Sequence, residues 1–104
     1  MSVDVRDNPE QARYEAWVDG AVVGFAQYRL RDNRISIIHT EVDPAHEGTG
    51  IGSGLARAVL DDIRRRQLSV NPICPFFAEY IRRHPDEYLD LVVPALRAKV
   101  AGDG

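Results

Sequence analysis

The sequence predicts an α/β (α+β) fold: an antiparallel meander, then a strand–helix–strand crossover, joined in one mixed sheet. Three observations predict it. Residues 13–18 alternate with a period of two and a β-branched run follows in residues 34–42, whereas an apolar stripe of helical period begins at Ile51. Between them, residues 43–50 carry Pro44, Gly48 and Gly50, which break both patterns.

Residues 1–11 are polar and read as loose. In residues 13–18, Tyr14, Ala16 and Val18 share one face while Arg13, Glu15 and Trp17 share the other. Asp19-Gly20 follows, a dipeptide that favours a two-residue hairpin turn, so residues 21–30 form the return strand. A second turn, Arg31-Asp32-Asn33, leads to a third strand over residues 34–42, rich in β-branched side chains. From Ile51, the positions of Leu55, Val59 and Ile63, with Ala56 and Leu60 beside them, predict a helix of about four turns. Asp61–Arg65 and Asp62–Arg66 have the spacing of charge pairs on its outer face. Residues 68–73 read as a strand parallel to the third, because a crossover through a helix returns in the same direction. Residues 76–84 read as a short helix stopped by Pro85. Residues 88–93 fit either a last strand or a buried tail, and the end is expected to fray. The whole, 1–104, reads as a single domain with its ordered core over about 12–92.

Composition narrows the function. A chain of 104 residues buries one core, so a ligand must lie in a groove of this domain or at an oligomer contact, with monomer or homodimer both open. A net charge of -3 disfavours nucleic acid as a partner. The clusters Arg64-Arg65-Arg66 and Arg82-Arg83 sit where positive charge stabilises helix ends. The one cysteine, Cys74, excludes an internal disulfide and suits a reducing compartment. No apolar run reaches membrane-spanning length, so a cytoplasmic location is expected. His39, His46 and His84 show no metal-ligand spacing.

The chemistry is expected at the glycine turn. Gly48, Gly50, Gly52 and Gly54 alternate between a strand and a helix. The first turn of a helix leaves N–H groups unpaired, and these, with the helix dipole, favour a phosphate. The alternative is a tight turn that lets helix and sheet pack closely. A nucleotide P-loop would need a lysine after its last glycine, and a dinucleotide fold would not follow an antiparallel meander. Both are therefore disfavoured.

The order strand, Thr40-Glu41-Val42-Asp43-Pro44, Glu47-Gly48-Thr49-Gly50-Ile51-Gly52, amphipathic helix resembles the coenzyme A-binding motif of the Gcn5-related N-acetyltransferases. Residues 39–42, Cys74-Pro75-Phe76 and residues 80–85 look like the small single-motif subgroup of that superfamily. The resemblance implies an acetyl-CoA-dependent N-acetyltransferase that acts on an amine of unknown identity, a small molecule or a protein lysine. It implies that Gly48, Thr49, Gly50, Ile51, Gly52 and Ser53 hold the pyrophosphate, and that Val42 pairs with the pantetheine arm where the two parallel strands splay. The motif carries Gln or Arg where this chain has Glu47, and a carboxylate beside a pyrophosphate repels it. A coenzyme A-binding or sensor module without transfer is the alternative.

Four residues are candidates for catalysis. Glu41 and His39 share a face at the end of the third strand, and either could deprotonate an ammonium. Cys74 follows the second parallel strand, where a thiol could carry the acetyl group or line the pocket. Tyr80 lies on the next helix, where larger relatives carry a tyrosine that protonates the thiolate; it could equally pack on the sheet. Trp17, Phe76 and Phe77 read as core or pocket wall, and His84 as a helix cap.

Overall fold

The computed structural model describes residues 3–102. Five strands lie side by side in chain order: β1 (Asp4–Asn8), β2 (Arg13–Val18), β3 (Ala21–Arg31), β4 (Arg34–Val42) and β5 (Ser69–Pro72). The first three contacts are antiparallel, and β4 with β5 is parallel. Helix α1 (Ile51–Arg65) makes the crossover between β4 and β5. After β5 come α2 (Pro75–Arg83), the single turn α3 (Pro85–Tyr88) and a short terminal α4 (Arg97–Ala101). The mixed sheet is the one the sequence predicts.

One expectation fails, and one open choice is resolved. Residues 1–11 are not all loose, because residues 4–8 form the edge strand β1, paired with β2 from Asp4–Trp17 to Asn8–Arg13; Met1 and Ser2 lie outside the described residues. Of the two readings of residues 88–93, the buried tail is the one found, with Tyr88, Leu91, Val92 and Val93 buried. The segment forms a 3-10 turn (Leu89–Leu91) and a single bridge, in which the Val93 N–H donates to the Val70 carbonyl at 3.0 Å.

The β2–β3 hairpin turns on Asp19 and Gly20, both at positive φ (50° and 79°), which matches the right-handed twist of the flanking strands. Helix α1 ends where Gln67 adopts a φ of 60° and the Leu68 N–H reaches back to the Ile63 carbonyl at 3.0 Å. The stripe Leu55, Ala56, Val59, Leu60 and Ile63 is fully buried against Ile35, Ile37 and Val70 of the sheet.

The basic run at the end of α1 does more than complement the helix dipole. Arg64 ties α1 to Asp90 at 2.9 Å and to the Glu87 carbonyl at 2.6 Å. Arg66 reaches the Tyr14 hydroxyl at 3.1 Å. Of the two expected charge pairs, Asp62–Arg66 forms at 3.6 Å. Arg65 turns to Asp62 instead, and Asp61 accepts from the Tyr88 hydroxyl at 2.8 Å.

Three tyrosines thus bind carboxylates: Tyr14 to Asp62 (2.5 Å), Tyr28 to Asp7 (2.7 Å) and Tyr88 to Asp61. Burial first, and then the neighbouring carboxylate, pushes all three phenols up, Tyr28 to about 12 and the other two further. Raised values favour the neutral phenol in the folded chain. Their stabilisation is complete below the ordinary tyrosine value of about 10 and is lost as pH rises through the folded values. Absorbance titration should leave three phenols neutral at about pH 11 while the fold persists. Ionisation of all of them near the ordinary value would show that these hydrogen bonds do not form.

Candidate functional site

The sheet opens at the end of β4. Pairing with β5 stops at Ile37–Pro72, and the Cys74 N–H closes it by donating to the Ile37 carbonyl at 2.8 Å. Residues 38–42 continue along β3 and, among the described residues, have no strand on the other side. A β-bulge falls in the same place: Gln27 faces His39 and Tyr28 faces Ile37, so Ile38 is the extra residue. Ile35 and Ile37 point into the core. The bulge reverses the alternation beyond them, so Thr40 and Val42 turn toward the helix side. His39 and Glu41 turn to the opposite face, beside Gln27 and Phe25.

The glycine turn faces this opening. Asp43 caps a 3-10 turn (Pro44–His46) by accepting from the Ala45 N–H at 2.9 Å. Gly48 and Gly50 have φ of 80° and 87°, with nothing near the place a Cβ would occupy. Gly50 is the N-cap of α1 and offers no side-chain cap. Among the described residues, the N–H groups of Gly48, Gly50, Ile51, Gly52 and Ser53 have no protein acceptor. Thr49 departs from the expectation: both its N–H and its hydroxyl donate to the His46 carbonyl. It is therefore a brace of the loop rather than part of the bare cradle. The other two glycines have packing reasons. A Cβ on Gly52 would meet the Phe76 ring at 2.9 Å, and one on Gly54 would meet Val3 at 3.0 Å.

Two cavities flank the end of β4. One, of about 460 Å³, is lined by Val42, Gly48, Gly50, Ile51, Gly52 and Ser53, with Phe76 as a wall. The other, of about 730 Å³, is lined by Arg13, Phe25, Glu41 and Asp43 among others. Thr40, Val42 and Glu47 line both. Each volume is in the range of small-molecule sites. On the sheet face of the larger cavity a chain of contacts crosses the strands. The Arg6 guanidinium lies 4.8 Å above Trp17, whose indole N–H meets Glu15 at 3.3 Å. Glu15 holds Arg13 at 2.8 Å, and Arg13 lies 4.7 Å above Phe25. Burial pushes the Glu15 carboxyl up, but Arg13, Asn8 and Trp17 together hold it below the ordinary value.

Comparison with known proteins decides the family. Residues 13–91 match the family described as GCN5-related N-acetyl-transferase.

The chain belongs to the GCN5-related N-acetyltransferases.

Its similar relatives include Protein NATD1 of Mus musculus, 33% identical over 61 residues, 58% of this chain and 56% of that protein. Protein NATD1 of Homo sapiens is also 33% identical, over 58% of this chain and 54% of its own length. The matched stretch thus spans a little over half of each relative. A solution structure of a GCN5-like protein from Staphylococcus aureus superposes with a TM-score of 0.62 at 25% identity, covering 86% of this chain and 87% of that one.

In this GCN5-related chain the four catalytic candidates separate. Glu41 lines the larger cavity and is 61% exposed; its Oε1 lies 3.1 Å from His39 Nε2. Cys74 is buried, and its thiol donates to Thr40 Oγ1 at 3.3 Å across the opening between β4 and the start of α2. Tyr80 lines neither cavity. Its ring stacks on His84 at 4.4 Å and lies 6.0 Å from Tyr88, on the α1 and α3 side of α2. His84 bonds the Tyr80 carbonyl through Nδ1 at 2.9 Å, which suits a helix-end role. Phe76 is a pocket wall and Phe77 is core, while Trp17 lies on the sheet's outer face. Sequence reasoning missed Thr40 and Phe25. Thr40 stands between the cavities and touches Cys74; Phe25 is opposite Glu41 in the register. Thr40 falls within the stretch that carries the family resemblance, whereas nothing local in the sequence marks Phe25. Among the described residues no cluster of three metal-ligating side chains occurs, and no helix is long and apolar enough to cross a membrane.

Proposed function

We propose that the chain is an acetyl-CoA-dependent N-acetyltransferase that takes its cosubstrate on the helix side of β4 and its amine on the sheet's outer face. The supporting observation is the set of unpaired N–H groups of Gly48, Gly50, Ile51, Gly52 and Ser53, lining a cavity beside the unpaired end of β4. Those donors and the α1 dipole suit a pyrophosphate, and the free strand edge near Val42 suits an extended amide arm. The open space at Gly48 and Gly50 fits the close approach of such a ligand. Bound acetyl-CoA supplies an acyl carbonyl activated as a thioester.

The protein's own groups then have two tasks. Glu41 accepts the proton of an arriving ammonium, and its partner His39 keeps the carboxylate turned to the outer face. Thr40 and Cys74 meet in the gap between the strands, and Thr40 lines both cavities. Transfer would proceed either directly to the amine or through the Cys74 sulfur; in each route the acyl–sulfur bond to coenzyme A breaks as the new acyl bond forms, and the coenzyme A sulfur leaves with the proton given up by the attacking group. Tyr80 takes no part in this scheme.

Glu41→Gln should lower acetyl transfer by about 10²-fold and leave coenzyme A affinity unchanged; equal activity removes Glu41 from the mechanism. Mass spectrometry after incubation with acetyl-CoA separates the two routes. An acetyl adduct on Cys74 that forms and decays as fast as turnover supports the covalent route, whereas turnover with Cys74 unmodified supports direct transfer. Coenzyme A binding with no turnover on any amine would favour a binding module instead.

A further inference from the structure

Glu47 stands at the junction of the two cavities. It follows the 3-10 turn, and its N–H is anchored to the Pro44 carbonyl at 3.3 Å, which fixes the backbone immediately before Gly48. Its side chain is exposed and, among the described residues, makes no hydrogen bond or ion pair. It lines the cavity of the bare amides and the cavity of Glu41 alike. A carboxylate there opposes a pyrophosphate on one side and attracts a cation on the other.

The larger cavity is short of positive charge. Glu41, Asp43 and Glu47 line it, and its one arginine, Arg13, is already held by Glu15 and by the Phe25 ring. The His39–Glu41 contact occupies one oxygen of Glu41. Glu47 has nothing.

We infer that the acceptor is an alkyl amine carrying a second positive charge, and that this second charge pairs with Glu47 and so couples acceptor binding to coenzyme A binding. The inference rests on the proposed cosubstrate site. One ammonium of the acceptor faces Glu41, toward the gap at Thr40. The other neutralises Glu47, which removes the repulsion felt by the neighbouring pyrophosphate. Linkage makes the effect mutual: whatever the dication does to coenzyme A affinity, coenzyme A does to dication affinity. A single-charge amine satisfies Glu41 and leaves Glu47 bare, so it couples weakly. The residue that departs from the family motif thereby becomes the sensor of acceptor charge.

The test is calorimetric titration of coenzyme A into the wild-type chain and into Glu47→Gln, at fixed ionic strength and with chelator present. Each titration is run alone, with butylamine, with 1,4-diaminobutane, and with a short lysine–arginine peptide. The diamine or the peptide should tighten coenzyme A binding to the wild type by about fivefold or more, and butylamine far less. The ligand that does so identifies the source of the dication as free or peptide-borne. Glu47→Gln alone should bind coenzyme A more tightly than wild type and should lose the response to both dications. The inference is overturned if neither dication acts more strongly than butylamine, if the response survives in Glu47→Gln, or if that variant binds coenzyme A no better. Coenzyme A binding to neither protein would instead remove the cosubstrate site itself, and the inference with it.

Discussion

Coenzyme A should raise the melting temperature of the wild-type chain, and Gly50→Val should abolish that rise. A ligand that binds only the native state at a hundred times its Kd adds about 2.7 kcal/mol, which for a domain near this size is a shift on the order of 10 °C. Gly50 sits at a φ of 87° with open space where a side chain would stand. A valine there is strained by about 1–2 kcal/mol, and its branched side chain takes up open space at a residue that lines the cavity of the unpaired amides. The variant should still melt cooperatively, at a lower temperature, but coenzyme A should no longer move that temperature. A wild-type chain indifferent to millimolar coenzyme A would remove the site. A shift retained in Gly50→Val would move the ligand elsewhere.

Phe77→Ala should lower stability by about 3–5 kcal/mol. Phe77 is fully buried, on the face of α2 that looks into the core, and its ring meets Phe76 edge-on at 6.2 Å. Removing it leaves a void that α1 and the sheet cannot close without shifting α2. Domains of this kind have about 5–15 kcal/mol in all, so the loss is a large share. Urea denaturation should show a lower midpoint with an unchanged slope. A loss below about 1.5 kcal/mol would mean that α2 is not anchored by this ring. The consequence reaches the site, since the same helix begins at Cys74 and carries Phe76 against Gly52.

Much of the fold was legible because its signals are local. Asp19-Gly20 marks the hairpin whatever surrounds it, and the stripe from Leu55 to Ile63 needs only one helix to declare itself. β1 was not legible. Its residues, Asp4 to Asn8, place a single apolar side chain, Val5, among charges and amides, and only pairing with β2 makes them a strand. The bulge was not legible either, although the neighbouring pair Ile37-Ile38 breaks a period of two. For the site, the glycine turn could be read in order and position. The capture of Thr49 by His46 and the contact of Cys74 with Thr40 could not, because each depends on how segments approach in space. Two of the four glycines are explained by Phe76 and Val3, so the density of glycines in the sequence overstated what a ligand requires.

β4 changes character along its length. As far as Ile37 it is an interior strand, and beyond that it is a border. Borders of this kind are where foreign chains graft themselves onto sheets. Here the border begins in mid-strand, inside the molecule's own cleft, with Glu41 and Asp43 as the acidic residues along it. The same few residues that leave room for a guest thus set negative charge beside it.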